Sequence, residues 1–306
     1  MHSFAYHWLK NPNIFLPSKG SQITNRWLGQ YYLRGSEITP HLFGQALSWD
    51  LLDLDLEPNG KILQYVDNPL ICSPYEKNSQ PHVIQVLNFL AERGYNVSCA
   101  KAQMVVTKAT YLGVQITHRS RRLPSAWVQG ILQLPSPTTR KQLRAFLGLT
   151  GYCRIWIPTM VLLSRPSMKS LKGRDDSIPL LWGTPQKKAE ATLKQALTQA
   201  PALRLPDPEK TLQHSVYEKE GIALGVLSER LEPQPQPVAY LSKRLDPTTW
   251  GWPPCLQNLA AIAILIEDAL KLSLGGKLFL PATKWNSSYM GEAIYGRLIK
   301  ESSDVK

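Results

Sequence analysis

The alternation of apolar and polar residues is most informative over residues 61–72, which read Lys-Ile-Leu-Gln-Tyr-Val-Asp-Asn-Pro-Leu-Ile-Cys. Two short apolar runs flank a polar pair, a pattern that predicts two strands joined by a tight turn. The turn carries Asp67, and a carboxylate between two buried strands needs water or a metal ion to offset its desolvation. An ordinary surface turn that happens to contain an Asp is the alternative.

Periodicity elsewhere in the chain predicts a mixture of helices and strands. Apolar residues at helical spacing predict helices at about 40–51, 83–91, 139–150, 185–197 and 256–272. Extended runs predict strands at about 97–98, 109–116, 211–217, 223–227, 238–243 and 277–280. The last three strands before the final helix, that helix and the strand after it follow the order of the ribonuclease H fold. We therefore predict an α/β (α+β) protein.

Positive charge is concentrated in the middle of the chain. The formal net charge is +12, and the segment from Arg93 to Arg174 contains 14 Lys and Arg and no Asp or Glu. Such a segment repels itself unless a polyanion neutralises it, and counterion release from phosphates provides binding energy. Nucleic acid is the favoured partner, and a basic surface without a partner is the alternative.

Composition also argues against several classes of protein. No apolar run approaches the ~20 residues that span a bilayer, and no secretory signal opens the sequence, so we expect no membrane association and an intracellular, cytoplasmic or nuclear, location. The four cysteines, Cys72, Cys99, Cys153 and Cys255, lack metal-ligand spacing, and we expect them to be reduced thiols. No small-molecule cofactor is predicted, and the sequence gives no signal for the oligomeric state.

Several motifs resemble retroviral reverse transcriptases in the order in which they occur along the chain. Leu63-Gln-Tyr-Val-Asp-Asn68 closely resembles the Leu-Gln-Tyr-Val-Asp-Asp hairpin of that family. Tyr111-Leu112-Gly113 is similar to the primer grip, and residues 142–148 and 151–158 resemble the thumb. Residues 200–203, 237–243 and 251–255 look like the connection domain. The flanking residues resemble the gammaretroviral branch, which includes endogenous retroviral Pol polyproteins.

The resemblance implies a domain order for a fragment of Pol. Residues 35–117 would form a partial palm with the hairpin and primer grip, residues 118–176 a helical thumb, and residues 177–281 an RNase H-like connection domain. Residues 1–34, an unassigned leader, and 282–306, an unassigned tail, carry no motif that we can place. We expect the fingers and the true ribonuclease H and integrase regions to be absent.

Catalysis by this family requires carboxylates that the sequence does not supply. The family holds two Mg²⁺ ions with one carboxylate from an upstream strand and two from the hairpin. Asp67 matches the first hairpin position, but Asn68 occupies the second and brings no charge. No Asp precedes residue 50. Asp67 is therefore the family's catalytic and metal-binding position, and we expect that it binds no Mg²⁺ productively alone.

The predicted RNase H-like region is also short of metal-binding carboxylates. Its first strand is followed by Glu218, which is either a surviving catalytic residue or a turn carboxylate. Its helix has acids only near the far end, at Glu267 and Asp268, and residues 278–280 contain none. This pattern resembles the noncatalytic connection domain of the gammaretroviral enzymes.

We therefore predict a catalytically defective reverse transcriptase (RNA-directed DNA polymerase) fragment that binds template-primer duplexes, either RNA–DNA or DNA. Tyr111, Leu112 and Gly113 would lie near the primer end, and the thumb would contact phosphates through Arg140, Lys141, Arg144 and Arg154. One alternative is an active RNA-directed DNA polymerase and RNase H family member that a partner chain completes. The other is an unstable, decayed remnant.

Overall fold

The computed structural model describes residues 39–56, 59–171, 180, 182–229 and 235–281. The chain divides into two compact units, Met1–Arg119 and Ser120–Lys306. The two segments left unassigned by the sequence, 1–34 and 282–306, lie outside the described residues. No helix in the part of the chain that the structure describes is long and apolar enough to cross a membrane.

The described residues of the first unit form two helices and two hairpins. Its elements are α1 (Thr39–Leu52), β1 (Lys61–Tyr65), β2 (Asn68–Cys72), α2 (Glu76–Glu92), β3 (Ala109–Tyr111) and β4 (Val114–Ile116). Strands β1 and β2 are antiparallel, as the apolar pattern predicts, and so are β3 and β4. Leu47 of α1, Leu70 of β2 and Val86 and Leu90 of α2 are buried in one apolar core.

An ion-pair cluster joins the ends of the two helices in the first unit. The Arg93 guanidinium contacts Asp50 at 2.6 Å and Asp53 at 2.8 Å. The Tyr95 hydroxyl donates a second hydrogen bond to the Asp50 carboxylate, at 2.5 Å. Because Arg93 follows α2 and both acids lie at the end of α1, the cluster holds the two helix ends together.

Two strand predictions in the first unit are wrong. Residues 97–98 are irregular rather than extended in a strand. Residues 109–116 form the β3–β4 hairpin instead of one strand, because Leu112 and Gly113 have φ angles of 49° and 74° and reverse the chain. Two successive residues with positive φ produce the tight turn that suits the twist of a hairpin.

The first part of the second unit is mainly helical. Its first elements are β5 (Ser120–Arg122), α3 (Ser125–Leu132), α4 (Arg140–Tyr152), a 3₁₀ turn (Arg154–Trp156), α5 (Met160–Lys169), α6 (Thr184–Thr198) and β6 (Leu203–Arg204). Strand β5 pairs antiparallel with β6. Leu143 and Phe146 of α4, Ile157, and Leu193 and Leu197 of α6 share an apolar core. Helix α6, which falls within the predicted connection domain, therefore packs with α4.

Helix α4 begins at a capping box that the Thr-Thr-x-x-Gln sequence encodes. The Thr139 hydroxyl accepts a hydrogen bond from the Gln142 backbone N–H at 3.2 Å, and the Gln142 amide oxygen accepts one from the Thr139 backbone N–H at 3.3 Å. These bonds satisfy backbone donors that the first helical turn leaves unpaired. The start of α4 is fixed by its own sequence, and with it the position of Arg140.

The second part of this unit has the strand order predicted for the ribonuclease H fold. Its elements are β7 (Leu212–Lys219), β8 (Ile222–Glu229), β9 (Gln236–Arg244), α7 (Pro254–Ser273) and β10 (Leu278–Phe279). The sheet order is β10-β7-β8-β9, with β10 parallel to β7 and the other neighbours antiparallel. Helix α7 covers one face of this sheet with Ala261, Leu265 and Ala269.

Polar contacts connect the helical part and the sheet within the second unit. The Ser242 hydroxyl accepts a hydrogen bond from the Val161 backbone N–H at 3.2 Å. Arg165 of α5 pairs with Glu220 at 3.1 Å. The Arg204 guanidinium pairs with Glu229, whose carboxylate is fully buried and also contacts Lys210 Nζ at 2.7 Å. Since a buried carboxylate is costly without a partner, these cations are needed where β6 meets β8.

Candidate nucleic-acid interface

Asp67 lies exposed at the tip of the β1–β2 hairpin. Tyr65 pairs with Asn68, so Val66 and Asp67 form a two-residue turn. Val66 has a φ of 53°, a left-handed conformation that costs a β-branched residue about 1–3 kcal/mol. The Gln64 side-chain amide holds the turn by donating to the carbonyls of Val66 at 2.8 Å and Gly44 at 2.9 Å. The hairpin therefore presents Asp67 to solvent in a fixed position.

The described residues do not fit the two-ion site that the family uses. The Asn68 side-chain amide donates to Oδ1 of Asp67 at 2.8 Å, so a hydrogen-bond donor takes the place of a second carboxylate. Asp50 and Asp53 pair with Arg93 instead of facing the hairpin tip. Among the described residues, no three His, Cys, Asp or Glu side chains converge in a way that could hold a metal ion.

The structure brings Tyr111 to the same hairpin. The Tyr111 hydroxyl donates to the backbone oxygen of Asn68 at 3.2 Å. Burial raises the pKa of Tyr111, which keeps the hydroxyl protonated as a donor. The Gln103 side chain fixes the β3–β4 hairpin by exchanging two hydrogen bonds with the Thr110 backbone, at 2.7 and 2.8 Å. Leu112 and Gly113 form the exposed turn of that hairpin.

A cavity of about 350 Å³ lies between the two hairpins and α2. Asp67, Asn68 and Tyr111 line its edge, and apolar residues such as Leu70 and Val86 line its floor. The predicted primer grip and the predicted catalytic hairpin thus form one local structure in the first unit.

Helix α4 presents a basic face away from its core. Lys141 and Arg144 are exposed and Arg140 is half-buried, whereas Leu143 and Phe146 are buried on the opposite side. Gly148 and Gly151 continue the outward surface, and a Cβ built on either would meet nothing within 4 Å. A helix surface with cations and then glycines lets a polyanion approach the backbone closely.

Sequence reasoning missed the glycines of this face. Their signal was the spacing, since Gly148 follows Arg144 by one helical turn and so lies on the same side. Arg154 lies in the 3₁₀ turn after α4, about 20 Å along the helix axis from Arg140. Arg154 thus lies at the opposite end of the helix from the other three predicted phosphate-binding residues.

Not all of the basic residues between Arg93 and Arg174 present their charge to solvent. Arg93 is paired with Asp50 and Asp53, and Arg165 with Glu220. Arg121 is largely buried, where its guanidinium donates to the Val238 carbonyl at 2.9 Å and lies 5.8 Å from the Trp156 ring centre. Burial lowers the pKa of Arg121. The local excess of positive charge is therefore smaller than the count predicts.

Glu218 in the RNase H-like part is a turn carboxylate. Its Oε1 accepts a hydrogen bond from the Gly221 backbone N–H at 2.6 Å, which stabilises the β7–β8 turn. The acids at the far end of α7 are also not assembled into a metal site, because Asp268 contacts Lys243 at 3.4 Å and Lys271 at 3.8 Å.

Two family models match the chain. One, for reverse transcriptase (RNA-dependent DNA polymerase), matches residues 7–116, and the other, for the RNase H-like domain found in reverse transcriptase, matches residues 182–279. The first match includes most of residues 1–34, in which no motif was recognised.

Curated relatives are viral polyproteins. The chain is 43% identical over 273 residues to the Gag-Pol polyprotein of avian reticuloendotheliosis virus, covering 89% of this chain and 23% of that protein. It is 40% identical to the Gag-Pol polyprotein of baboon endogenous virus (strain M7), covering 90% of this chain and 15% of that protein. It is 39% identical to the Gag-Pol polyprotein of koala retrovirus, covering 91% of this chain and 16% of that protein. The chain thus spans less than a quarter of these relatives.

Solved structures share the fold at low identity. The foamy viral protease-reverse transcriptase in complex with dsDNA superposes with a TM-score of 0.70 and 22% identity, covering 90% of this chain and 57% of that one. The foamy viral protease-reverse transcriptase in complex with an RNA/DNA hybrid superposes with a TM-score of 0.69 and 21% identity, covering 89% of this chain and 38% of that one.

Proposed function

Because the chain belongs to the retroviral Pol family and contains reverse transcriptase and RNase H-like domains, we propose that it binds double-stranded nucleic acid without extending a primer. The ligand is an RNA–DNA hybrid or a DNA duplex. The foamy viral structures are complexes with these two kinds of duplex, which supports the proposal.

The basic face of α4 is the observation that carries this proposal. The face combines exposed Lys141 and Arg144 with Gly148, on a helix whose start is fixed by a capping box. Cations at one end would contact the phosphates, and the glycines would let the helix backbone approach the duplex. Contacts to phosphates carry no direct sequence information, so we expect little sequence preference.

The residues at the hairpin tip support the proposal that the chain does not extend a primer. Phosphoryl transfer needs ions that bridge the phosphates and neutralise developing charge. Asp67 is accompanied by a hydrogen-bond donor from Asn68, and two of the upstream acids, Asp50 and Asp53, are held by Arg93. Magnesium is the family's cofactor, and we propose that this chain does not bind it productively.

The binding site is tested by removing two positive charges from α4 and, as a control, two from α6. We expect Lys141→Gln/Arg144→Gln to weaken binding of a fluorescent RNA–DNA hybrid about tenfold or more at low salt, because two phosphate contacts are lost. The control, Lys187→Gln/Lys188→Gln, removes the same charge from an exposed surface of α6. Equal weakening by both variants would show that only total charge matters and would refute the α4 site.

A second candidate is an active RNA-directed DNA polymerase that a partner chain completes. The exposure of Asp67 next to the Tyr111 hairpin favours it, since the hairpin tip is accessible to another chain. Mixing the protein with a fingers-palm fragment of a relative, itself made inactive at its hairpin, distinguishes the two. Primer extension by the mixture that depends on Asp67 would establish this candidate in place of ours.

A further inference from the structure

Consecutive exposed residues without a charge lead into α7. They are residues 250–256, which read Trp-Gly-Trp-Pro-Pro-Cys-Leu. Trp250, Trp252 and Leu256 are 49%, 45% and 43% exposed, and Leu259, about one helical turn after Leu256, is 46% exposed. We call residues 250–256 together with Leu259 the tryptophan surface. Single exposed apolar residues are common on any protein, but a continuous apolar surface indicates an interaction site.

Hydrogen bonds and packing hold the tryptophan surface in one shape. The Gln257 side chain of α7 donates to the carbonyls of Thr249 and Trp250, each at 3.2 Å. The Trp250 ring covers Gly221, where an added Cβ would lie 2.8 Å from the indole nitrogen. A preformed surface loses less conformational entropy on binding than a mobile one, which favours a role in recognition.

One cation and one anion border the tryptophan surface, and neither has an ionic partner among the residues that the structure describes. The Arg244 guanidinium is exposed and lies 5.5 Å from the centre of the Trp250 ring. The exposed Asp246 carboxylate accepts hydrogen bonds from the Thr248 backbone N–H at 2.9 Å and hydroxyl at 2.8 Å, which fix its position. An apolar surface that carries both signs of charge is complementary to itself.

We propose that the tryptophan surface joins two copies of this chain in a symmetric dimer. In a twofold contact the same surface lies on both sides, so the apolar residues of each copy cover those of the other. Arg244 of each copy then meets Asp246 of the other, which gives two ion pairs at the edge of an apolar contact. The dimer is an addition to the duplex binding proposed for α4 and does not depend on it.

Charge favours a second copy over a polyanion as the occupant of this surface. A nucleic acid or an anionic membrane is attracted by cations and repelled by carboxylates. Asp246 places an unpaired carboxylate beside the tryptophans, at the position where such a ligand would approach. The second copy is the occupant that uses both Arg244 and Asp246.

The area of the tryptophan surface is sufficient for a weak dimer. Two tryptophans that are about half exposed provide about 200 Å² of it. With the prolines, Cys255 and the two leucines, the contact comes to about 500 Å² on each copy, or about 1,000 Å² in the pair, which is the lower limit for a specific interface. We therefore expect a dissociation constant in the micromolar range.

Charge reversal tests the dimer in the full chain, by sedimentation over a series of protein concentrations. We expect Arg244→Asp and Asp246→Arg each to raise the dissociation constant about tenfold or more, because both ion pairs become repulsive contacts. A mixture of the two variants should dimerise again, since each variant supplies the charge that the other lacks. A substitution that acted only on folding would not be rescued by mixing.

A second pair of variants tests the apolar part of the contact. Leu259→Asp should dissociate the dimer, because it buries an unpaired charge in the interface. Leu270→Asp is the matched control, since Leu270 is 51% exposed on the same helix but lies about three turns further along, outside the tryptophan surface. It should leave the dissociation constant unchanged.

Three outcomes would overturn the proposal. The first is a natural chain that stays monomeric at about 100 µM. The second is a mixture of the two charge variants that does not dimerise although each variant melts as the natural chain does. The third is equal dimerisation of Leu259→Asp and Leu270→Asp, which decides the matter if a charge variant does not fold. No sample contains nucleic acid, so failure here is separate from failure of the proposed function.

Discussion

His214 is a buried histidine in the RNase H-like part of the second unit. It is 1% exposed on β7, and neither ring nitrogen has a hydrogen-bond partner among the residues that the structure describes. A Cβ on Gly225 would lie 2.8 Å from its Nε2, so the ring fills the space above that glycine. Burial lowers the pKa of His214 to about 4.

We predict that the second unit loses stability as the pH falls from about 6.5 to about 4. The unfolded chain binds a proton to His214 below its ordinary pKa of about 6.5, whereas the folded chain does not, so the loss reaches about 3 kcal/mol. Denaturant unfolding at a series of pH values measures it. His214→Leu should remove this part of the dependence. An identical pH profile for His214→Leu would show that other groups are responsible.

Asn68 places a hydrogen-bond donor beside Asp67 at the hairpin tip. We predict no primer extension with Mg²⁺ from the natural sequence or from Asn68→Asp, because the variant restores a second carboxylate but no third one reaches the tip in the part of the chain that is described. A competent retroviral reverse transcriptase serves as the positive control. Extension by either protein that Asp67→Ala abolishes would contradict the prediction.

Arg93 and Arg121 illustrate which residue-level features the sequence could not reveal. Arg93 meets Asp50 and Asp53 across 43 and 40 positions of the chain. Arg121 meets the Val238 carbonyl across 117 positions. A count of charges in a segment is local and does not detect such partners, and only the folded chain shows which cations remain at the surface.

At Gly148 of helix α4, the substitution that should stabilise the helix should also weaken duplex binding. Gly148 lies on the outward surface, where an added methyl group has open space. Replacing a helical Gly by Ala stabilises a helix by about 0.5–1 kcal/mol. If the duplex lies against this face, the same methyl group must interfere with its approach.

We therefore predict that Gly148→Ala raises the melting temperature and weakens binding of the RNA–DNA hybrid roughly tenfold. Gly130→Ala is the matched control, because Gly130 is exposed in α3 and has equally open space. It should raise stability without changing affinity. Thermal melting and fluorescence anisotropy measure the two effects, and unchanged affinity in Gly148→Ala would move the duplex away from this face.

The apolar periodicity of the sequence predicted helices and strands correctly where the apolar residues of an element are the ones buried in the core. The β1–β2 hairpin and the order β7-β8-β9-α7-β10 came from apolar runs and their spacing. The turn at Leu112-Gly113 was missed because apolar residues continue on both sides of it, and β5, α3 and α5 were missed because their apolar faces are short. The start of α2 at Glu76, seven residues before Val83, was missed because polar residues form its first turns.

At the scale of the whole molecule, each unit contributes a different feature to the proposed function. The first unit holds the hairpin tip and the Tyr111 hairpin together without a metal-binding cluster among its described residues. The second unit holds the basic face of α4, whose opposite side packs in an apolar core that it shares with α6. Together they support a protein that binds a duplex but does not extend it, in contrast to a decayed remnant, which would melt without cooperativity.

The most direct test of this account is the affinity of the full chain for a labelled RNA–DNA hybrid over a series of salt concentrations. Phosphate contacts from Arg140, Lys141, Arg144 and Arg154 predict a plot of log affinity against log salt with a slope of roughly −3 to −4. A slope near zero, or no binding at low salt, would mean that the basic face of α4 contacts no phosphates, and the account would be wrong.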